Sequence, residues 1–167
     1  VATGQYFMTQ INSKLKMINS KMDDILNFLY GDKKAELLAE TNFVKYAYEN
    51  FSSIMMHDVQ KVATVGNLQS AKKVAMQDIE FYMGDLDVKV ASRTKTFSEL
   101  ETIVSDCLQI QSSLELSKQL YIMSSLLEMQ YAQNTDNTFI VYLENEMTSY
   151  IDKCDKRTLT IFSNLKG

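Results

Sequence analysis

The chain has 167 residues, a net charge of −4 and no proline. Its hydrophobic fraction of 46% is ordinary for a folded domain and too high for an intrinsically disordered one. An acidic chain lacks the concentrated basic surface that non-specific nucleic-acid binding requires, so we expect no nucleic-acid partner. Proline ends helices and marks loops, so its absence favours a chain made mostly of helix with short connections.

The first predicted helix covers residues 5–30 and ends at Gly31. Its apolar residues recur at spacings of three and four, which is typical of the seam of a coiled coil or helical bundle. No glutamate flanks this seam to pair with Lys14 or Lys21 across a parallel homodimer, so we expect the helix to pack within its own bundle. The seam residues are Met8, Ile11, Leu15, Ile18, Met22, Ile25 and Leu29.

Two further helices are predicted in the next sixty residues. One covers residues 33–65, with Val59 and Val62 at the end of its apolar stripe, and stops at Gly66 and Asn67. The other covers residues 68–90. Gly84 lies inside it and costs about 1 kcal/mol relative to alanine, which would favour a kink or an early end there.

The fourth predicted helix is apolar on more than one side. Ser98 and Glu101 have the spacing of a capping box, and the helix then runs to about residue 132. A helix with two apolar faces usually lies in the centre of its fold. One stripe consists of Leu100, Ile103, Cys107, Ile110, Leu114 and Tyr121, and the other of Leu116, Leu120, Met123 and Leu127.

A fifth helix begins at Asp136 or Asn137 and runs to about residue 165. Long helices joined by short turns pack antiparallel. The sequence therefore predicts an all-α fold: an elongated antiparallel bundle of about four to five long helices, with a coiled-coil-like first helix. Residues 1–167 form a single domain. The chain opens at Val1 rather than at methionine, so we also consider it as a fragment of a longer protein.

The sequence lacks a recognisable catalytic or metal-binding pattern. His57 is the only histidine, whereas di-iron bundles and catalytic zinc sites usually need more than one. Cys107 and Cys154 fall on apolar stripes of different helices and are interpreted as buried free thiols. The Asp85-Leu86-Asp87 segment fails the EF-hand spacing, and Gly31-Asp32-Lys33-Lys34 lacks the second glycine of a P-loop. We expect no metal, no cofactor and no enzymatic activity.

No apolar stretch approaches the ~20 residues that a transmembrane helix needs, and no signal peptide is visible. We therefore expect no membrane span within these residues and a cytoplasmic location. Lysine far outnumbers arginine, which hints at an AT-rich genome, and we expect a bacterial source.

Apolar residues that fall off the helical stripes are the remaining functional candidates. Methionine adapts its shape and tyrosine offers a large amphipathic contact, so we interpret Met17, Tyr46, Met56 and Tyr131 as a partner surface. The sequence thus favours a non-enzymatic helical interaction or scaffold domain that binds a protein partner or another copy of itself.

Three alternatives stay open. The first is a ligand-sensing helical bundle of a receptor, because bundles build ligand sites between their helices. The second is part of a helical pore-forming or membrane-acting protein, which would need an apolar hairpin that is absent from these residues. The third is a hydrolase with an unrecognised site.

Overall fold

The computed structural model describes residues 2–93, 96–133 and 137–164, with side chains described from residue 8 onward. Helices account for nearly all of these residues, and none of them lies in a strand. The predicted all-α bundle is therefore confirmed. The helices are α1 (Ala2–Phe28), α2 (Gly31–Glu49), α3 (Phe51–Met55), α4 (Asp58–Ala91), α5 (Phe97–Tyr131) and α6 (Asn137–Ser163).

The break predicted at Gly66 and Asn67 is wrong, because α4 runs through both residues. The chain breaks earlier, at Asn50, and again at residues 56–57. The Asn50 backbone N–H donates the last helical hydrogen bond of α2, to the carbonyl oxygen of Tyr46 at 3.1 Å. The Asn50 side-chain amide donates to the same oxygen at 3.0 Å, a local side-chain bond that competes with continued helical hydrogen bonding. The roughly 1 kcal/mol that a mid-helix glycine costs is outweighed in α4 by its long packing surface on α5.

The fifth helix in chain order, α5, is central, as its two apolar faces predict. Helices α1, α2, α4 and α6 all pack against it. Nearly every residue from 113 to 131 is buried, including several serines. The helix begins two residues earlier than the Ser98 cap predicts, because the Thr96 hydroxyl accepts a hydrogen bond of 3.1 Å from the Glu99 backbone N–H.

Side-chain pairs define the helix directions around α5. Helices α1, α4 and α6 run antiparallel to α5, whereas α2 runs antiparallel to α4 and therefore parallel to α5. The pairs that show this are Lys21–Glu115 and Asn12–Gln130 for α1, Lys89–Asp106 and Lys72–Glu128 for α4, Lys118–Asp155 and Tyr121–Tyr150 for α6, and Lys33–Asp85 and Glu40–Asp78 for α2.

The heptad seam of α1 packs inside the same chain. Ile18, in the middle of the seam, is 8% exposed, and Leu15 and Met22 on either side of it are fully buried. The seam deviates from the predicted set at one position, where Leu26 is buried and its neighbour Ile25 only partly so. The prediction that this helix packs within its own bundle is confirmed for the described chain.

Candidate functional site

Three of the four residues predicted to form a partner surface are exposed. Met17 lies on α1, Tyr46 on α2, and Met56 in the link between α3 and α4, where it is 80% exposed. They belong to three different parts of the chain rather than to one helix face. Whether they contact a partner stays a prediction.

The fourth residue, Tyr131, is buried, so its assignment to an exposed patch is wrong. Its hydroxyl donates a hydrogen bond of 2.7 Å to the carbonyl oxygen of Ala47, and its ring packs edge-to-face on Phe51, with 4.9 Å between ring centroids. The position is off-stripe only for a helix with one buried face. Because α2 and α3 cover the end of α5, every side of that helix is buried there.

The opposite end of α5 is much less covered. The Gln109 side chain donates to the carbonyl oxygen of Phe28, so α1 ends level with residue 109 of α5. The pair Lys118–Asp155 places α6 so that its end, eight residues later and about 12 Å along, lies near residue 110. Within the described residues, α5 has no buried side chain before Ile110. Residues 86–93 and 97–108 thus form the hairpin tip, where α4 and α5 extend past their neighbours.

Four apolar residues line one exposed face of this tip. They follow a spacing of three, four and four, which sets them on one side of a helix. Their exposed fractions are 74%, 47%, 51% and 49%. We call them the α5 stripe: Phe97, Leu100, Val104 and Leu108.

The apolar pattern in the sequence does not predict this exposed stripe. It places Leu100 on the inward side of the helix, together with Ile103 and Cys107, and this prediction is wrong because Leu100 is about half exposed. Leu100, Val104 and Leu108 repeat at intervals of four, beside the row of Ile103 and Cys107. This repeat is the sequence pattern from which a second apolar row could have been predicted.

The α5 stripe leads into a groove between α1 and α5. The groove has a volume of about 430 Å³. Leu108 lies one helical turn before Gln111 and Ser112, which line it, so the stripe and the groove form one continuous surface. The remaining lining residues are Asp24, Ile25, Phe28 and Glu115.

The rim of this surface is acidic. Asp24 borders the groove and Glu101 follows Leu100 in the stripe. Neither carboxylate forms an ion pair with a described residue. Glu115, by contrast, is held by Lys21 at 3.2 Å and by Lys118 at 3.7 Å. Asp24 and Glu101 are thus free to attract positive charge from outside the chain.

A second exposed row lies on α4, at Val74, Phe81 and Val88. Its members are seven residues apart, so each is separated from the next by about two helical turns. Gln77 and Gly84 occupy the intervening positions. This row is sparser than the α5 stripe and does not form a continuous apolar face.

Two carboxyl groups meet between α2 and α4. Glu40 and Asp78 lie within hydrogen-bonding reach of each other, and both side chains are about half buried. Glu40 Oε2 and Asp78 Oδ2 are buried without a donor among the described residues. A proton on one carboxyl group would supply the missing hydrogen bond to the other.

The surroundings of this pair favour that proton. Burial, the hydrogen bond to Asp78 and the nearby charges of Asp78 and Glu36 raise the pKa of Glu40 to about 8. Burial also raises the pKa of Asp78. Lys33, two helical turns before Glu40 on α2, is engaged with Asp85 at 3.5 Å and lies over the ring of Tyr82. The pair is therefore a site of proton binding near neutral pH.

A buried ion pair joins α4, α5 and α6. Lys72 Nζ lies 2.9 Å from Glu128 Oε1 and 3.5 Å from Glu146 Oε1. The Glu128 side chain is 3% exposed, so its charge depends on Lys72 for compensation. This arrangement satisfies buried charge and offers no reactive group in an open cleft.

The described histidine and cysteine residues, which could act as nucleophiles or metal ligands, do not form a cluster. His57 is exposed and precedes the first turn of α4 without capping it through its side chain. Both cysteines are free thiols, and Cys154 is buried as predicted, whereas Cys107 is only partly buried. Burial raises the pKa of each, which disfavours the reactive thiolate. Among the described residues, no three histidine, cysteine or carboxylate side chains are grouped so as to hold a metal ion.

Within the ranges that the structure describes, none of the helices combines the length and the apolar character needed to cross a membrane. No protein-family model, curated protein or solved structure matches the chain. The functional inference therefore depends on the geometry and chemistry of the chain itself.

Proposed function

We propose that this chain is a non-enzymatic interaction domain that binds another polypeptide through the α5 stripe. The observation that carries the proposal is the stripe itself: four apolar side chains on one face of a helix that extends past its neighbours. Removing apolar surface from water contributes about 25 cal/mol per Å², so a partner that covers this face gains binding energy directly. Contiguous exposed apolar patches on soluble proteins commonly mark such contacts.

The position of the stripe supports the same function. Its backbone belongs to α5, the helix that is held by four others farther along the chain. A rigid helix presents its side chains in a fixed arrangement, so a partner pays little for ordering them. The described grooves on this chain are lined largely by charged and polar side chains, which supports protein binding over capture of a small apolar ligand.

A selection experiment tests this function. A displayed library of helical peptides is selected against the wild-type chain, and the affinities of the recovered peptides are measured for Val104→Glu and for the control Val62→Glu. Val62 is also an exposed valine, at 72%, but lies near the other end of α4. We expect Val104→Glu to weaken most recovered peptides at least tenfold, the size of a hot-spot effect, and Val62→Glu to leave them unchanged.

Both variants replace exposed side chains, so their melting temperatures should stay close to that of the wild type. Recovered peptides that bind Val104→Glu and wild type equally would contradict the proposal. So would peptides that lose affinity equally for Val104→Glu and Val62→Glu, because the α5 stripe would then have no special role.

A further inference from the structure

We infer that the partner of the α5 stripe is an amphipathic helix whose apolar face is flanked by lysine or arginine. This inference rests on the proposed function and adds the chemistry of the partner. It is carried by three features of the surface: its length, its continuity with the groove beside α1, and the charge of its rim.

The length of the surface suits a helix of about five turns. The stripe spans residues 97–108, about 16 Å along the helix axis, and the groove extends the same face to Glu115, about 27 Å in all. Apolar side chains at intervals of three and four on one helix pack against apolar side chains at the same intervals on a partner helix. This is the helix-in-groove mode of recognition. Phe28, 53% exposed at the end of α1, forms a side wall for the incoming helix.

The charge of the rim selects the partner. Asp24 and Glu101 flank the α5 stripe and its groove and form no ion pair with a described residue, whereas Lys21, on the same helix as Asp24, is already bound to Glu115. A cationic flank on the partner would meet two available carboxylates. Exposed ion pairs contribute about two- to fivefold each in affinity, so the pair together favours a basic over an acidic flank by roughly tenfold.

The same rim disfavours the other occupants. Two copies of this chain that paired through their stripes would bring acidic rims together, with Glu101 of each copy close to the shared face. Anionic membrane surfaces would repel these carboxylates as well. A basic amphipathic helix is therefore the occupant with complementary shape and charge.

Two synthetic 18-residue peptides test the inference. Both carry leucines at the same heptad positions, but one has lysine and the other glutamate at the flanking positions. Their affinities for the full chain are measured by fluorescence anisotropy in 50 mM and 300 mM NaCl. We expect the lysine peptide to bind about tenfold more tightly at 50 mM, and the ratio to fall towards one at 300 mM because salt screens exposed charges.

Matched variants separate the roles of the rim and the stripe. Asp24→Asn/Glu101→Gln should abolish the preference for the lysine peptide. The control Glu49→Gln/Asp58→Asn removes the same two charges at the other end of the bundle and should preserve it. Val104→Ser should weaken both peptides, and Val62→Ser should weaken neither.

Each contrary result has a distinct meaning. If both peptides bind the wild type equally and both depend on Val104, the inference on charge is overturned while the interaction surface stands. If neither peptide binds, the inference that the partner is an amphipathic helix is overturned. The proposed function is a separate claim, and it fails only if the library selection also yields no peptide that depends on Val104. A wild-type dimer that Val104→Ser converts to a monomer, or a Val104-dependent attachment to phosphatidylglycerol vesicles, would assign the surface to a second copy or to a membrane and overturn the inference.

Discussion

The carboxyl groups of Glu40 and Asp78 share a helix interface in which each lacks a donor for one buried oxygen. A proton held between them turns a repulsive contact into a hydrogen bond, and burial strengthens this effect because the charged forms lose solvation. This pair therefore links the binding of a proton to the packing of two helices. It lies between α2 and α4, away from the α5 stripe, so its titration should change stability more than binding.

The contribution of this pair to stability should therefore decrease as the pH rises from 4.5 to about 8. The pKa of Glu40 is raised from 4.5 to about 8, so between these values the folded state binds more protons than the unfolded state. The free energy of unfolding then falls with increasing pH across this window. Above it, Glu40 is ionised in both states and causes no further change. We expect Glu40→Gln, which keeps a donor for Asp78, to be more stable than the wild type at pH 8.5 by on the order of 1–2 kcal/mol, after allowing for solvent screening of this half-buried pair.

Urea unfolding at pH 5.0 and pH 8.5 measures this effect. The control Glu49→Gln removes an exposed carboxylate from the same helix and should show the pH dependence of the wild type. A Glu40→Gln variant whose pH dependence equals that of the wild type would show that the proton is not held at this pair.

In helix α4, tertiary packing outweighs the low helix propensity of glycine. It contains Gly66 and Gly84, and it continues through both because it packs along α5 for most of its length. Neither glycine is required by space, since a Cβ atom at either position would meet no atom within 4 Å. Gly31 differs, because its φ of 75° lies in the left-handed region that favours glycine.

Alanine substitutions should separate these two roles of glycine. Gly66→Ala and Gly84→Ala should each raise the free energy of unfolding by about 0.5–1 kcal/mol, because alanine loses less conformational entropy on folding. Gly31→Ala should lower it by about 1–2 kcal/mol, because a Cβ atom is strained at positive φ. Thermal and urea unfolding of the three variants would check the signs, and a Gly66→Ala variant less stable than the wild type would mean that α4 needs a weak point there.

The whole molecule is organised around one helix. Most of α5 is enclosed by four others, which gives the chain a single core from α1 to α6. The buried pair Lys72–Glu128 ties α4 to α5 in the middle of this core. The α5 stripe lies at the less covered end of α5, where a partner can reach it without disturbing the core.

This organisation predicts that α1 stabilises its own chain. Ile18 is buried in the seam of α1 against the core, so Ile18→Ala should lower the free energy of unfolding by about 2–5 kcal/mol. The loss should be the same at 2 and 100 μM protein, because the packing is within one chain. The exposed neighbour Met17 offers a control, since Met17→Ala should cost less than about 0.5 kcal/mol. A loss for Ile18→Ala that depends on protein concentration would show that the seam is shared between chains.

The sequence by itself determined the helical class, the inward seam of α1 and the central role of α5, because these depend on the local spacing of apolar residues along one helix. Only the tertiary structure decided which helix faces are covered. Tyr131 is buried and Leu100 is exposed because α2 and α3 reach one end of α5, whereas α1 and α6 stop short of the other. The meeting of Glu40 with Asp78 likewise depends on the register of two helices that are separate in sequence. Helix ends and the alignment of neighbouring helices follow from the packing of the whole chain, so the periodicity of one helix cannot predict them.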